Sequence, residues 1–391
     1  MRGPQRSEAV IVGVGAIPVG YHFELSLRNM AVQAILQARA EAPELEPQAV
    51  FVGNMLASGI SHQANLGALI CEYANLKGCE GVTVEAAEAG GAAALYQAVM
   101  AIRSGYIDTA LVLGIEKVSD NIDAELEMML ARTLDADYES ETSMTLNAQA
   151  ALLMQRYLYE NNVPREALAG FPLLAHKNAV GNPLAMYRKK VSEESYAKSA
   201  LVAEPLNLFD VAPYADGAAA LLISRADLLS ERIKQGAIRI SGSSLISGRL
   251  ALHDRKDPLF FEPAAVSVQK ACEKARVSVA DLDFFEFQDA TTLHALLSLE
   301  AAGFAHRGEA WKLARDGELE KNGALPCQTM GGCKARGFPL AANGVYQAYE
   351  AALQLRGQAK ECQVSGARIG MIQALGGNSA TAVTTVLERL T

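Results

Sequence analysis

The sequence predicts an α/β protein. Three observations carry that expectation: short β-branched apolar runs, longer stretches with helical spacing between them, and a composition suited to a buried, close-packed interior. Half of the 391 residues are hydrophobic, 20% are charged and only 6% are aromatic. Such proportions exclude disordered, collagenous and coiled-coil chains, and at roughly 150 residues per domain the length accommodates about two or three domains.

The first run, AVIVGVG at 9–15, has no small-residue cleavage site behind it and reads as a strand rather than a leader. AVFVGNM at 49–55 and TALVLGI at 109–115 follow, each separated from its predecessor by a helical pattern, which is the signature of βαβ units and covered sheets. From Asp120 to about Lys198 the strand signal stops and stretches such as LNAQAALLMQRYLYENN take over, so 120–198 is expected to be an inserted helical and loop subdomain. Strands then resume at 219–224, 238–244, 284–290 and 381–388. An internal repeat divides the chain further: GGAAALYQAVMAI at 90–102 falls on LAANGVYQAYEAA at 340–352, an offset of 250 residues. Small residues opening each helix suit close packing in a central layer. The expected organisation is one half from 1–119 and 199–235, the insertion 120–198, and a second half from 236–391. Under this mapping Glu88 corresponds to Phe338.

Charge and cysteine content narrow the function. Lysine and arginine total 35 against 44 aspartates and glutamates, a net charge of −9 that offers no global basic field for nucleic acid. No apolar run approaches the roughly 18 residues of a membrane span, and a cytoplasmic location is expected. The six cysteines form no C-x-x-C pair, which argues against a disulfide framework or a protein-held zinc.

With these residues on the page, the chain resembles the thiolase superfamily of acyl-CoA condensing enzymes, particularly its sterol-carrier-type and archaeal-type branches. The resemblance runs nearly end to end, through VGVGAIPVG, VTVEAAEAGGAAALYQAVMAIRSGYIDTALVLGIEKVSD, HKNAVGNPLAMYRK, PLNLFDVAPYADGAAALLIS, FFEFQDATTLHALLSLEAAG, GGCKARGFPLAANG and ARIGMIQALGGNSATAV. It implies the thiolase fold: two pseudo-symmetric βαβαβ halves in layered α-β-α-β-α order, with a helical insertion. It also implies a homodimer acting on coenzyme A thioesters, with no intrinsic cofactor. Members of this branch work with a small OB-fold, zinc-ribbon protein, so such a partner is implied, and any zinc would belong to it.

The resemblance breaks where a thiolase does its chemistry. Glu88 stands where the family carries its nucleophilic cysteine, Phe338 replaces the histidine of Gly-His-Pro, and Gln288 of Gln288-Asp289-Ala290 replaces a second histidine. The family's Asn-Pro has become Gln328-Thr329. A carboxylate is a poor substitute for a thiolate attacking a thioester, whereas a carboxylate tuned by burial can act as a general base. The leading expectation is therefore an enzyme that makes or breaks a carbon–carbon bond beside a thioester without a cysteine acyl intermediate. The alternative is a non-catalytic subunit kept for dimerisation or CoA binding, with Glu88 satisfied by backbone amides and capping the helix.

Gln288 is a candidate oxyanion donor. Asp289 is expected to fix the loop opening the helix that holds His294, itself expected in the core. Gly376, Gly377 and Asn378 resemble the family's cleft-lining loop, where glycines allow close backbone approach and directed amides. Arg188, Lys189 and Lys190, and Arg255 with Lys256, are candidates for the CoA phosphates or simply solvated charge. Cys327, Cys333, Tyr96, Tyr346 and His62 complete the set of weaker candidates.

Overall fold

The computed structural model describes residues 8–121 and 123–390. The first seven residues of the N-terminal half, and Thr391, lie outside the described residues.

Nine strands form the main sheet. They are β1 (Ala9–Ala16), β2 (Ala49–Gly53), β3 (Glu80–Val84), β4 (Thr109–Glu116), β5 (Gly217–Arg225), β6 (Ile238–Ser247), β7 (Phe284–Phe287), β8 (Ile369–Gly376) and β9 (Thr381–Arg389). Their order is β3-β2-β4-β5-β1-β6-β9-β8-β7. The sequence reading missed β3 and β8. β3 is a short, mostly exposed edge strand, EGVTV, and β8 lies in a segment whose glycine pair read as a loop. Conversely, the run at 284–290 stops at Phe287, leaving Gln288–Ala290 free to enter the site.

The order mirrors itself about β1 and β6. β2 lies parallel to β3 and β4, and β7 parallel to β8, while β5 and β9 run antiparallel within their halves. Within the sheet the halves pair through Val10↔Arg239 and Ile11↔Ile238. The second half lacks a full counterpart of β3; a single parallel bridge, Phe285↔Cys327, marks the place.

The longer helices are α1 (Leu27–Ala40), α2 (Leu66–Tyr73), α3 (Gly90–Arg103), α4 (Asp123–Leu130), α5 (Leu146–Asn161), α6 (Gly170–Ala179), α7 (Glu262–Ala275), α8 (Thr292–Ala301) and α9 (Asn343–Arg356). α1 covers the outer face of the first half and α7 that of the second. The repeated helices α3 and α9 pack on each other and on strands of both halves, giving the five layers of the thiolase fold. Their contact requires small residues: a Cβ added at Gly91 would meet the Ala341 carbonyl oxygen at 2.4 Å, and one at Gly344 would meet Ala92 at 2.7 Å. The chain leaves the sheet after β4 and rejoins it at Gly217, and the excursion holds α4, α5 and α6 with a short ladder of Leu201–Ala203 on Leu206–Asn207. Among the described residues no helix is long and apolar enough to cross a membrane.

Candidate active site

β3 ends at Val84, and the chain turns through Ala87, whose φ is +50°, before delivering Glu88 to the start of α3. In the repeat, Ala87 falls on Gly337, with φ +102°, and Glu88 on Phe338. Each half thus turns through a left-handed residue immediately before the position that projects into the centre. The helix itself is not capped by Glu88: no side chain caps α3, so the capping role that the non-catalytic alternative assigned to the carboxylate is not met.

Glu88 is 5% exposed, and its Oε2 accepts the Gly377 N–H from the other half at 2.8 Å. Burial raises its pKa above the ordinary carboxylate value; the Gly377 amide and Glu88's own backbone amide pull it back, and nearby Glu85 adds a smaller upward push. Burial therefore outweighs the amide dipoles. The glycine pair makes this contact possible. A Cβ at Gly376 would lie 2.5 Å from the Ala86 carbonyl oxygen, so only glycine lets β8 reach the Glu88 loop, and Gly377 adopts φ +55°.

Asn378 is committed inside the protein. Its amide donates to Gln149 Oε1 at 2.6 Å, its side chain hydrogen-bonds His294, and its carbonyl accepts from Arg255 at 2.6 Å. Arg255 also donates to the carbonyls of Arg249, Leu250 and Gly377. Desolvation lowers its pKa to about 10. Arg255 is thus a partly buried clamp on the Gly377–Asn378 turn, whereas Lys256 is exposed.

Several candidates turn out to be structural. Gln288 spends its amide on Leu375, donating to its carbonyl at 2.8 Å and accepting its N–H at 3.2 Å, with Asn343 also on its oxygen. It holds the end of β8. Asp289 accepts the Cys333 N–H at 2.6 Å, which ties the loop before α8 to the turn after Gly331–Gly332. His294 pairs with Thr291 at 2.8 Å, and burial lowers its pKa to about 4. Tyr346 donates to the carbonyls of Ile17 and Ala218. Cys327 and Cys333 are fully buried, and desolvation pushes both thiols well above their ordinary value, which keeps them protonated. Tyr96 faces Lys274 at 5.9 Å, and His62 is exposed.

Phe338 is 2% exposed in an apolar cluster with Leu56, Ala212, Cys333 and Leu340. Its ring lies 6.1 Å from that of Tyr214, and their backbones bridge through Phe338 N–H to Pro213 at 2.9 Å. Sequence reasoning passed over Tyr214, an aromatic in the otherwise small-residue run APYADGAAA. It also passed over Glu116, a charge ending the apolar strand β4, which accepts the Met55 and Leu56 amides and titrates near 8 because it is buried.

Two openings flank this group. A cavity of about 350 Å³ is lined by Met55, Leu56, Glu85, Ala86, Ala87, Arg132, Gly376 and Gly377. A more apolar one of about 370 Å³ reaches Ala212 and Pro213 past Tyr187, Leu208 and Phe209, with Lys189 and Lys190 at its edge and Lys334 inside. Glu88 adjoins the first through Ala87 and Gly377, and Tyr214 adjoins the second through Pro213.

Comparison with known families decides the class. The thiolase N-terminal domain matches residues 10–227 and the thiolase C-terminal domain-like family matches 246–389. The chain belongs to the thiolase family. It is 34% identical to the acetyl-CoA acetyltransferase of Methanothermobacter thermautotrophicus, over 98% of this chain and all of that one. It is 27% identical to a benzoylsuccinyl-CoA thiolase subunit of Thauera aromatica, over 94% of each. Among solved structures, the Ltp2-ChsH2(DUF35) aldolase superposes with a TM-score of 0.82 at 22% identity, over 98% of both chains, which shows the shared fold.

Proposed function

We propose that this thiolase-family chain makes or breaks a carbon–carbon bond beside a CoA thioester without a cysteine acyl intermediate, with Glu88 as general base. The observation that carries the reading is Glu88 itself: a buried carboxylate at the mouth of the central helix, held by Gly377 N–H beside an open cavity, with its pKa raised by burial. A base shifted toward neutral pH is the tuning that abstraction from a β-hydroxyl or an α-carbon requires. The cysteines give no competing nucleophile, because those nearest the site are buried and protonated. The apolar slot suits the pantetheine arm, with Lys189 and Lys190 at its edge for the phosphates. A protein of the same fold is named an aldolase with a DUF35 partner, which supports both the lyase reading and a small partner protein here. The exposed edge of β3, with Val82 46% exposed, suits a homodimer contact.

A second reading, a non-catalytic scaffold, is favoured by Phe338 packed in grease and Gln288 committed to Leu375. Incubation with 3-hydroxyacyl-CoA and 3-oxoacyl-CoA esters, with and without free CoA and a candidate partner, separates the two. Mass spectrometry is expected to show cleavage of the hydroxyacyl esters independent of free CoA and lost in Glu88→Gln. Turnover unchanged in Glu88→Gln removes the base from the mechanism, and failure to bind any CoA ester supports the scaffold.

A further inference from the structure

We propose that Tyr214 is the acid that works opposite Glu88, so that a phenol and a carboxylate divide the proton transfers of this site. The inference rests on the reading of Glu88 as base.

Position is the first argument. Tyr214 lies within electrostatic reach of Glu88 and of Glu127, its ring is held against Phe338, and Pro213 beside it lines the apolar slot. Its backbone neighbour thus borders the apolar slot, and its ring touches the residue that mirrors Glu88 in the repeat. Polarity is the second. The Asn147 amide beside the phenol acts in the sense that favours phenolate, as an amide N–H directed at the oxygen does, so the phenol's own proton is not engaged by it. Asn147 in turn donates to Glu127 at 3.4 Å, which holds it in that orientation. Burial and the two carboxylates raise the Tyr214 pKa, so the group remains a proton donor at neutral pH.

The steps balance. In the cleavage direction Glu88 takes the β-hydroxyl proton, the oxygen's electron pair forms the new carbonyl, and the Cα–Cβ bond breaks. Its electron pair passes to Cα and onto the thioester oxygen, which Tyr214 O–H stabilises. Tyr214 then protonates Cα and recovers a proton from Glu88. The products are a carbonyl compound and a shorter acyl thioester; no water, free CoA or redox partner is consumed.

The half-reaction at Cα provides a test that does not need the natural acyl group. Acetyl-, propionyl- and octanoyl-CoA are incubated with the full-length protein in D₂O, and deuterium at Cα is followed by mass spectrometry. The wild type is expected to exchange at least one of them, Glu88→Gln to lose the exchange, and Tyr214→Phe to slow it about 100-fold in kcat with KM unchanged. Tyr214→Phe at the wild-type rate overturns this inference while leaving the base reading intact. No exchange by the wild type, or full exchange by Glu88→Gln, overturns the base reading and this inference with it. As a second probe, 3-fluorotyrosine placed at 214 should change kcat of the exchange with KM unchanged; an unchanged kcat overturns the assignment.

Discussion

The two loops that enter the central layer make an internal experiment. Each turns through a left-handed residue, Ala87 or Gly337, and each then presents one side chain to the middle of the molecule, Glu88 or Phe338. One is a carboxylate reaching across to the opposite half's Gly377 amide beside a cavity. The other is an aromatic ring sealed in an apolar cluster. The scaffold therefore sets where a group is delivered, and a single residue in each copy decides whether that position holds a carboxylate beside a cavity or a packed ring.

Four substitutions break or sharpen this contrast. Glu88→Gln should have the largest effect, a loss of at least about 100-fold in carbon–carbon cleavage measured by product formation. Its melting temperature should hardly change, because the amide oxygen can still accept Gly377 N–H. Phe338→Ala should do the reverse, costing about 4 kcal/mol in chemical denaturation, since it empties a fully packed position. Gly376→Ala should cost about 2 kcal/mol, because its Cβ cannot fit 2.5 Å from the Ala86 oxygen without displacing the Glu88 loop.

The smallest effect concerns pH. His294 titrates near 4 in the folded chain and near 6.5 unfolded. The unfolded state therefore binds the proton first as pH falls, and stability is lost between about 6.5 and 4. Relative to His294→Gln, the wild type should lose about 1 kcal/mol between pH 7.5 and 5.5 in urea titrations.

Much of the fold was legible because it is written in periodicity. Buried strands such as β1 and β4 are continuous apolar runs, and the paired helices share Tyr-Gln-Ala. β3 was missed because it is a five-residue edge strand whose two valines stand among glycine and threonine, too short a run to stand out. At the site, Glu88 and the glycine pair were legible from local motifs, and their contact requires only the fold to close. The use of Gln288, Asp289 and Arg255 was not, because each is decided by backbone groups distant in sequence: Leu375, Cys333 and Gly377. Tyr214 was hidden for the same reason, since its neighbours Glu88, Glu127 and Asn147 come from three separate segments.

The position of β1 has a consequence for the chain's manufacture. This entirely buried strand, made before both its strand partners, pairs with β5 through Ala9↔Arg225 and with β6 through Ile11↔Ile238. At about 5–20 residues per second, it waits on the order of ten seconds or more for either neighbour to be synthesised. AVIVGVGA is thus a sticky segment without a home while most of the first half is being translated. The nascent protein should depend on a holding chaperone in proportion to how slowly the ribosome crosses the excursion between β4 and β5.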